Sequence, residues 1–161
     1  MDWEDWNDAL HTEGVGQDLI SEPTLYLLDL LDQYRIKAIF YTLFITELKY
    51  LHLHDSIVER GHVIKSHGLL HYRNQRMADR QPYQFLGFCG GFWMRFLPYW
   101  LWKFFVLVQK HCYVHPHDLM RHHPVVSNRL LNWKRQFGLK QSRLKLERLF
   151  SEVKFDQPSD D

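Results

Sequence analysis

The run Ile36-Lys37-Ala38-Ile39-Phe40-Tyr41-Thr42-Leu43-Phe44 constrains this chain more than any other stretch. It is apolar, aromatic and β-branched almost throughout, the pattern of a strand covered on both faces, as in a parallel sheet. A helical pattern from about Thr46 to Arg60 follows and stops at Gly61 in the C′ position. A second strand then spans His62 to Ser66, with Val63-Ile64 at its centre. Strand, helix and strand joined by short links make a βαβ unit, so the sheet is expected to be parallel with right-handed crossovers. Ahead of this unit, Leu27, Leu28, Leu30 and Leu31 recur at helical spacing. They predict a helix from about Pro23 to Tyr34, with Ser21 as its cap and Pro23 in its first turn.

The remaining pattern is sparser. Met1 to Asp5 reads as the last residues of a short first strand, and Asn7 to Ser21 as a loop. Tyr72 to Gly91 is irregular apart from the apolar stretch Gln84 to Cys89. A helix is expected over Pro98 to Lys110, a strand over His111 to His115 and a loop over His117 to Asn128. An amphipathic helix over Gln141 to Glu152 carries Leu144, Leu146, Leu149 and Phe150, and Val153 to Phe155 reads as a closing strand. At 161 residues the chain is one domain, residues 1–161, with 156–161 as a solvated tail. That is short for a full (β/α)8 barrel, which takes about 250 residues. A net charge of +1 gives no reason to expect nucleic acid as partner. Cys89 and Cys112 have no metal-like spacing and read as free thiols in a reducing compartment. Met1 is followed at once by acidic residues and not by a secretory leader, so a cytoplasmic location is expected. Phe92 to Val108 is the most apolar region, but Arg95, Pro98 and Lys103 interrupt it, which argues against a transmembrane segment. It reads as a core helix burying Trp100, Phe104 and Leu107; a helix lying on a membrane surface is the alternative.

In parallel α/β folds function collects at the carboxyl ends of strands. Four groups fall there: Asp2 with Glu4 and Asp5, His67 with His71, Arg80 to Tyr83, and His115. Two imidazoles and a carboxylate, with a fourth position open, form the ligand set of a hydrolytic metal site. His67 and His71 are spaced to stack on one helical turn. A second carboxylate can take the proton of the attacking water, and a separate His can protonate the leaving group. Spacing alone is weak in a chain with 11 histidines, where His111 and His115 repeat it. His111, His117, His122 and His123 match no such role and read as structural or solvent-facing.

Taken in order, these motifs resemble the NodB-homology polysaccharide deacetylases (carbohydrate esterase family four). The family's first motif is matched by Asp2-Trp3-Glu4-Asp5-Trp6, and its second by Gly61 to His71. Arg80-Gln81-Pro82-Tyr83 matches the third, and Tyr113-Val114-His115 the last. The run LLDLLDQYRIKAIFYTLF is also similar to the family's approach to its second motif. The likeness extends over Asp2 to Pro116 and, loosely, the Leu-rich C-terminal helix.

The resemblance implies an α/β fold, a distorted (β/α) barrel, and a hydrolase that removes N-acetyl groups from an acetylated sugar or polysaccharide. Asp2 would be the general base, Arg80 the cation orienting it, and Tyr83 a backbone donor to the oxyanion. His115 would protonate the departing amine. His67, His71 and either Glu4 or Asp5 would bind a divalent metal, zinc first, with cobalt, nickel or iron as alternatives. Strand alternation favours Glu4, which faces the same way as Asp2. The chain departs from the family in three places: a nearly absent first strand, eight residues between His71 and Arg80, and no counterpart to the motif that orients the catalytic His. A shortened or open barrel is therefore expected, its sheet edges covered by helices or by homo-oligomer formation. A catalytically inactive relative that binds glycan or a partner subunit is the second reading.

Overall fold

The computed structural model describes residues 1–4, 18–68, 87–125 and 128–156. Asp5, His71, Arg80 and Tyr83, the irregular stretch up to residue 86 and the tail beyond 156 lie outside the described residues. Three parallel strands form the sheet, in the order β1 (Asp2–Trp3), β2 (Ile39–Leu43), β3 (Val63–Gly68). Asp2 is opposite Tyr41, and Tyr41 is opposite Lys65, so all three carboxyl ends lie at one edge. Two more extended pieces continue beyond β1. The Asp2 amide donates to the Val114 carbonyl at 3.2 Å, and Tyr113 bridges Gly90 in parallel.

Helix α1 (Ser21–Tyr34) buries Leu27, Leu28, Leu30 and Leu31, the face its spacing predicted. Ser21 is not its cap. Asp18 Oδ1 instead accepts from the Ser21 and Ile20 amides at 3.0 and 3.2 Å. Trp3 Nε1 donates to Thr24 Oγ1 of α1 at 3.1 Å, which fixes one face of β1 against this helix. The helix expected over Thr46 to Arg60 is two, α2 (Phe44–Lys49) and α3 (Leu51–Glu59), with a break at the buried Tyr50. Gly61 takes a φ of 74° and lets the chain leave α3 for β3. β3 runs through His67, so His67 is an extended residue and not the start of a helical turn.

The second half is helical. It comprises α4 (Gly91–Phe96), α5 (Tyr99–Gln109), a 3-10 turn (Pro116–Leu119), α6 (Arg129–Gln136) and α7 (Leu139–Glu152). α6 was not foreseen, and the helix read over Phe92 to Val108 is two, α4 and α5, separated at Leu97 and Pro98. Residues 153–156 form no strand pairing. In α7, Leu146 and Leu149 are buried, whereas Leu144 is exposed. α5 overturns an expectation: Trp102 and Val106 enter the core, while Trp100, Phe104 and Leu107 are 70%, 55% and 49% exposed. The core runs continuously through Trp3, Leu28, Phe40, Ile57, Met94, Trp102 and Leu149. Over it lies a ladder of aromatic rings. Trp133 meets Phe137 at 5.2 Å, Phe137 meets Phe96 at 4.7 Å, and Phe96 meets Phe92 at 4.6 Å. From Phe92 it passes through Trp93, Phe88 and Phe105 to Phe104 of α5. No helix among the described residues is long and apolar enough to cross a membrane.

Candidate catalytic site

Alternation along β1 decides where the carboxylates point. Trp3 faces α1, so Asp2 and Glu4 project to the opposite face of the sheet. Val114, bonded to Asp2, carries His115 to that same face. The His115 Nε2 lies 3.5 Å from Asp2 Oδ2 and 3.7 Å from Glu4 Oε1. Glu4 is buried, whereas Asp2 and His115 are each about one-quarter exposed. His67 stands two strands away at the end of β3, its ring edge-on to Tyr41 at 6.4 Å. Of the residues singled out from sequence, Asp2, Glu4 and His115 thus meet, and His67 shares their sheet edge.

The residues missed are those behind His115. The 3-10 turn begins at His115 with Pro116 in its first position, and Asp118 closes a capping box. Asp118 Oδ2 accepts from the His115 amide at 3.1 Å and from its Nδ1 at 3.3 Å. Its other oxygen, Oδ1, is 3.5 Å from Arg95 Nε, and both side chains are buried. Arg95 also donates to the Arg135 carbonyl at 2.9 Å. The His117 ring stacks on His115 at 4.7 Å, and His123 Nε2 donates to the His117 carbonyl at 2.6 Å. Two of the four histidines expected to be structural or solvent-facing, His117 and His123, therefore pack behind His115.

This wall sets the charges. Burial pushes His115 toward its neutral form, but the Asp118 hydrogen bond and the Asp118, Asp2 and Glu4 charges outweigh it, so its pKa is raised. Burial works to raise Asp118, and His117, His115 and Arg95 together hold it well below the usual carboxylate range. Burial dominates at His117 and His123, whose pKa values fall to about 3 and about 4. The result is one imidazole inclined to keep its proton, aimed at two carboxylates, among imidazoles that stay neutral.

Two donor sets bear on metal binding. Glu4 and His67 carry donor types that suit zinc or a similar divalent ion, but β2 lies between the strands that bear them. The other two expected ligands, Asp5 and His71, lie outside the described residues. His115, His117 and Asp118 also bring one ligand atom each within 4.8 Å of one another. That second group is better understood as a hydrogen-bonded acid–base cluster. A dication held by Asp118 would sit beside the buried Arg95 guanidinium, and like charges at that range repel strongly. Compared with family models, curated proteins and solved structures, the chain matches none.

Proposed function

We propose that this protein is a metal-dependent hydrolase that removes N-acetyl groups from a glycan or glycan precursor. Its scaffold would be a shortened or open barrel of the polysaccharide deacetylase type. The meeting of His115 Nε2 with Asp2 and Glu4 carries the reading, because the pair expected to act as acid and base comes together from distant parts of the chain. The pairing of Asp2 with Val114 supports the scaffold, since a barrel sets its last strand beside its first.

In this reading Asp2 takes a proton from the attacking water, and Arg80 holds Asp2 ionised. His115, kept protonated by Asp118, gives its proton to the sugar amine as the C–N bond breaks. The Tyr83 amide donates to the oxyanion. His67, His71 and either Glu4 or Asp5 would hold the divalent ion, which when bound supplies Lewis acidity toward the acetamide carbonyl. Cys89 and Cys112 are free thiols whose pKa values burial raises, as suits inert cysteines in a cytoplasmic protein.

The test is acetate release from an N-acetylated chitooligosaccharide, measured beside metal content. Asp2→Asn and His115→Ala should keep metal and lose about 10² to 10⁴ in rate. His67→Ala and His71→Ala should lose metal and activity together, because two protein ligands rarely hold a divalent ion tightly. Metal kept in both His variants, or full activity in Asp2→Asn, would overturn the mechanism in favour of a glycan-binding relative.

A further inference from the structure

Helix α6 buries none of its residues. Leu130, Leu131 and Trp133 are exposed on it together with Arg129 and Lys134. From Leu119 to Leu146 the chain carries seven Lys and Arg and no Asp or Glu, although the whole molecule is close to neutral, with 20 basic and 19 acidic residues. Some of these cations are committed inward: Arg143 pairs with Glu22, and Lys145 donates to the Met94 and Leu97 carbonyls. Arg129, Lys134 and Lys140 are exposed. Trp133 also begins the aromatic ladder, which continues through Phe137 and Phe92 to Phe104, all four of them exposed. Trp100, one helical turn before Phe104, is the most exposed aromatic residue of α5.

We propose that this face, made by α6, the first turn of α7 and the outer sides of α4 and α5, docks the protein on an anionic lipid bilayer. A helix lies in a membrane interface when it offers Trp and Leu to the acyl boundary and Lys and Arg to the headgroups, which is the content of α6. The exposed Trp100 and Trp133 rings favour headgroup depth, where one part of the ring is apolar and the other wet, and the exposed Phe rings suit the acyl boundary beneath. The charge argues for lipid over a neutral apolar groove: the segment from Leu119 to Leu146, with cations and no acids, gains from the negative potential of phosphatidylserine-bearing leaflets. Each exposed Lys or Arg near such a surface contributes enough that removing two changes binding visibly. The docked face does not include Asp2, Glu4 or His115, so membrane binding and hydrolysis are separable.

The test is flotation of the full chain with phosphatidylcholine vesicles, with or without phosphatidylserine, at low and high salt. We expect binding to the phosphatidylserine vesicles, weakened by salt and much lower on phosphatidylcholine alone. Lys134→Glu with Lys140→Glu should lower it by about tenfold or more. Trp133→Ala should lower it on both vesicle types. Lys154→Glu, two residues past the far end of α7, should leave it unchanged. Circular dichroism and urea midpoints like those of the parent chain are expected for all variants, because every substituted residue is exposed. No flotation with phosphatidylserine, or flotation indifferent to the Lys134 and Lys140 reversals, would overturn the proposal. Self-association without lipid that Trp133→Ala abolishes would also overturn it, in favour of a protein partner.

Discussion

Arg95 and Asp118 are charges taken out of water, and each is tolerable only while the other is present. Asp118→Asn keeps the shape and can still accept from His115, but leaves the Arg95 guanidinium buried without its counter-ion. Unfolding in urea should therefore reveal a loss of about 3 kcal/mol or more. The same change removes the nearest negative charge from His115, so its imidazole should titrate at a lower pH when followed by NMR. If His115 is the proton donor, the alkaline limb of the rate profile moves down with it. An unmoved His115 titration would reduce Asp118 to a cap for the 3-10 turn. Part of this arrangement is legible in the sequence. His115-Pro116-His117-Asp118 places Pro at the first position of a turn and Asp at the third, which is a capping signature. Arg95 is not legible, because its tie to Asp118 depends on how α4 packs and no local spacing encodes that.

At the scale of elements, α4 owes its position to Gly91. A Cβ there would overlap the Asp118 carboxylate, so the helix start approaches the acid as closely as backbone allows. Gly91→Ala should destabilise by about 1–3 kcal/mol through overpacking, and it should shift His115 in the same direction as Asp118→Asn. Because both act on one carboxylate, their effects in a double-mutant cycle should fall well short of additive. Strict additivity would mean that Gly91 is required for some other contact. α5 illustrates the limit of periodicity. Its sequence, YWLWKFFVLVQ, is apolar nearly all round, so spacing could not tell the Trp102–Val106 face from the Trp100–Phe104–Leu107 face. α1 was readable because its polar residues fall opposite its leucines. The break at Tyr50 had no Gly or Pro to announce it; burial of the Tyr50 ring accompanies a turn that local propensity does not predict.

Across the whole molecule, the parallel order of β1, β2 and β3 was foreseeable, because a strand–helix–strand unit with short links allows little else. The placement of His115 beside Asp2 was legible only through the ordered motifs, since nothing local ties residue 114 to residue 2. A global consequence of the fold is its response to acid. Desolvation holds His62, His117 and His123 neutral, with pKa values of about 4, about 3 and about 4. In the unfolded chain each titrates near 6.5. A depressed pKa gives stability that is whole above about pH 6.5 and is lost as pH falls toward the folded values. His115 runs the other way: its raised pKa stabilises below about 6.5 and fades as pH rises through the folded value. His111, also lowered by burial, falls on the same side, and four imidazoles against one leave a net loss on acidification, on the order of 1–2 kcal/mol for each of His62, His117 and His123 by pH 4.5. Asp118, held low, adds to the loss only further down, below about pH 4. The urea midpoint should therefore decline steadily between pH 7 and 4.5. His123→Gln, whose amide can still donate to the His117 carbonyl, should reduce the proton uptake on unfolding by close to one and flatten that decline. A midpoint that stays constant over this range would mean that the three imidazoles reach water in the folded state.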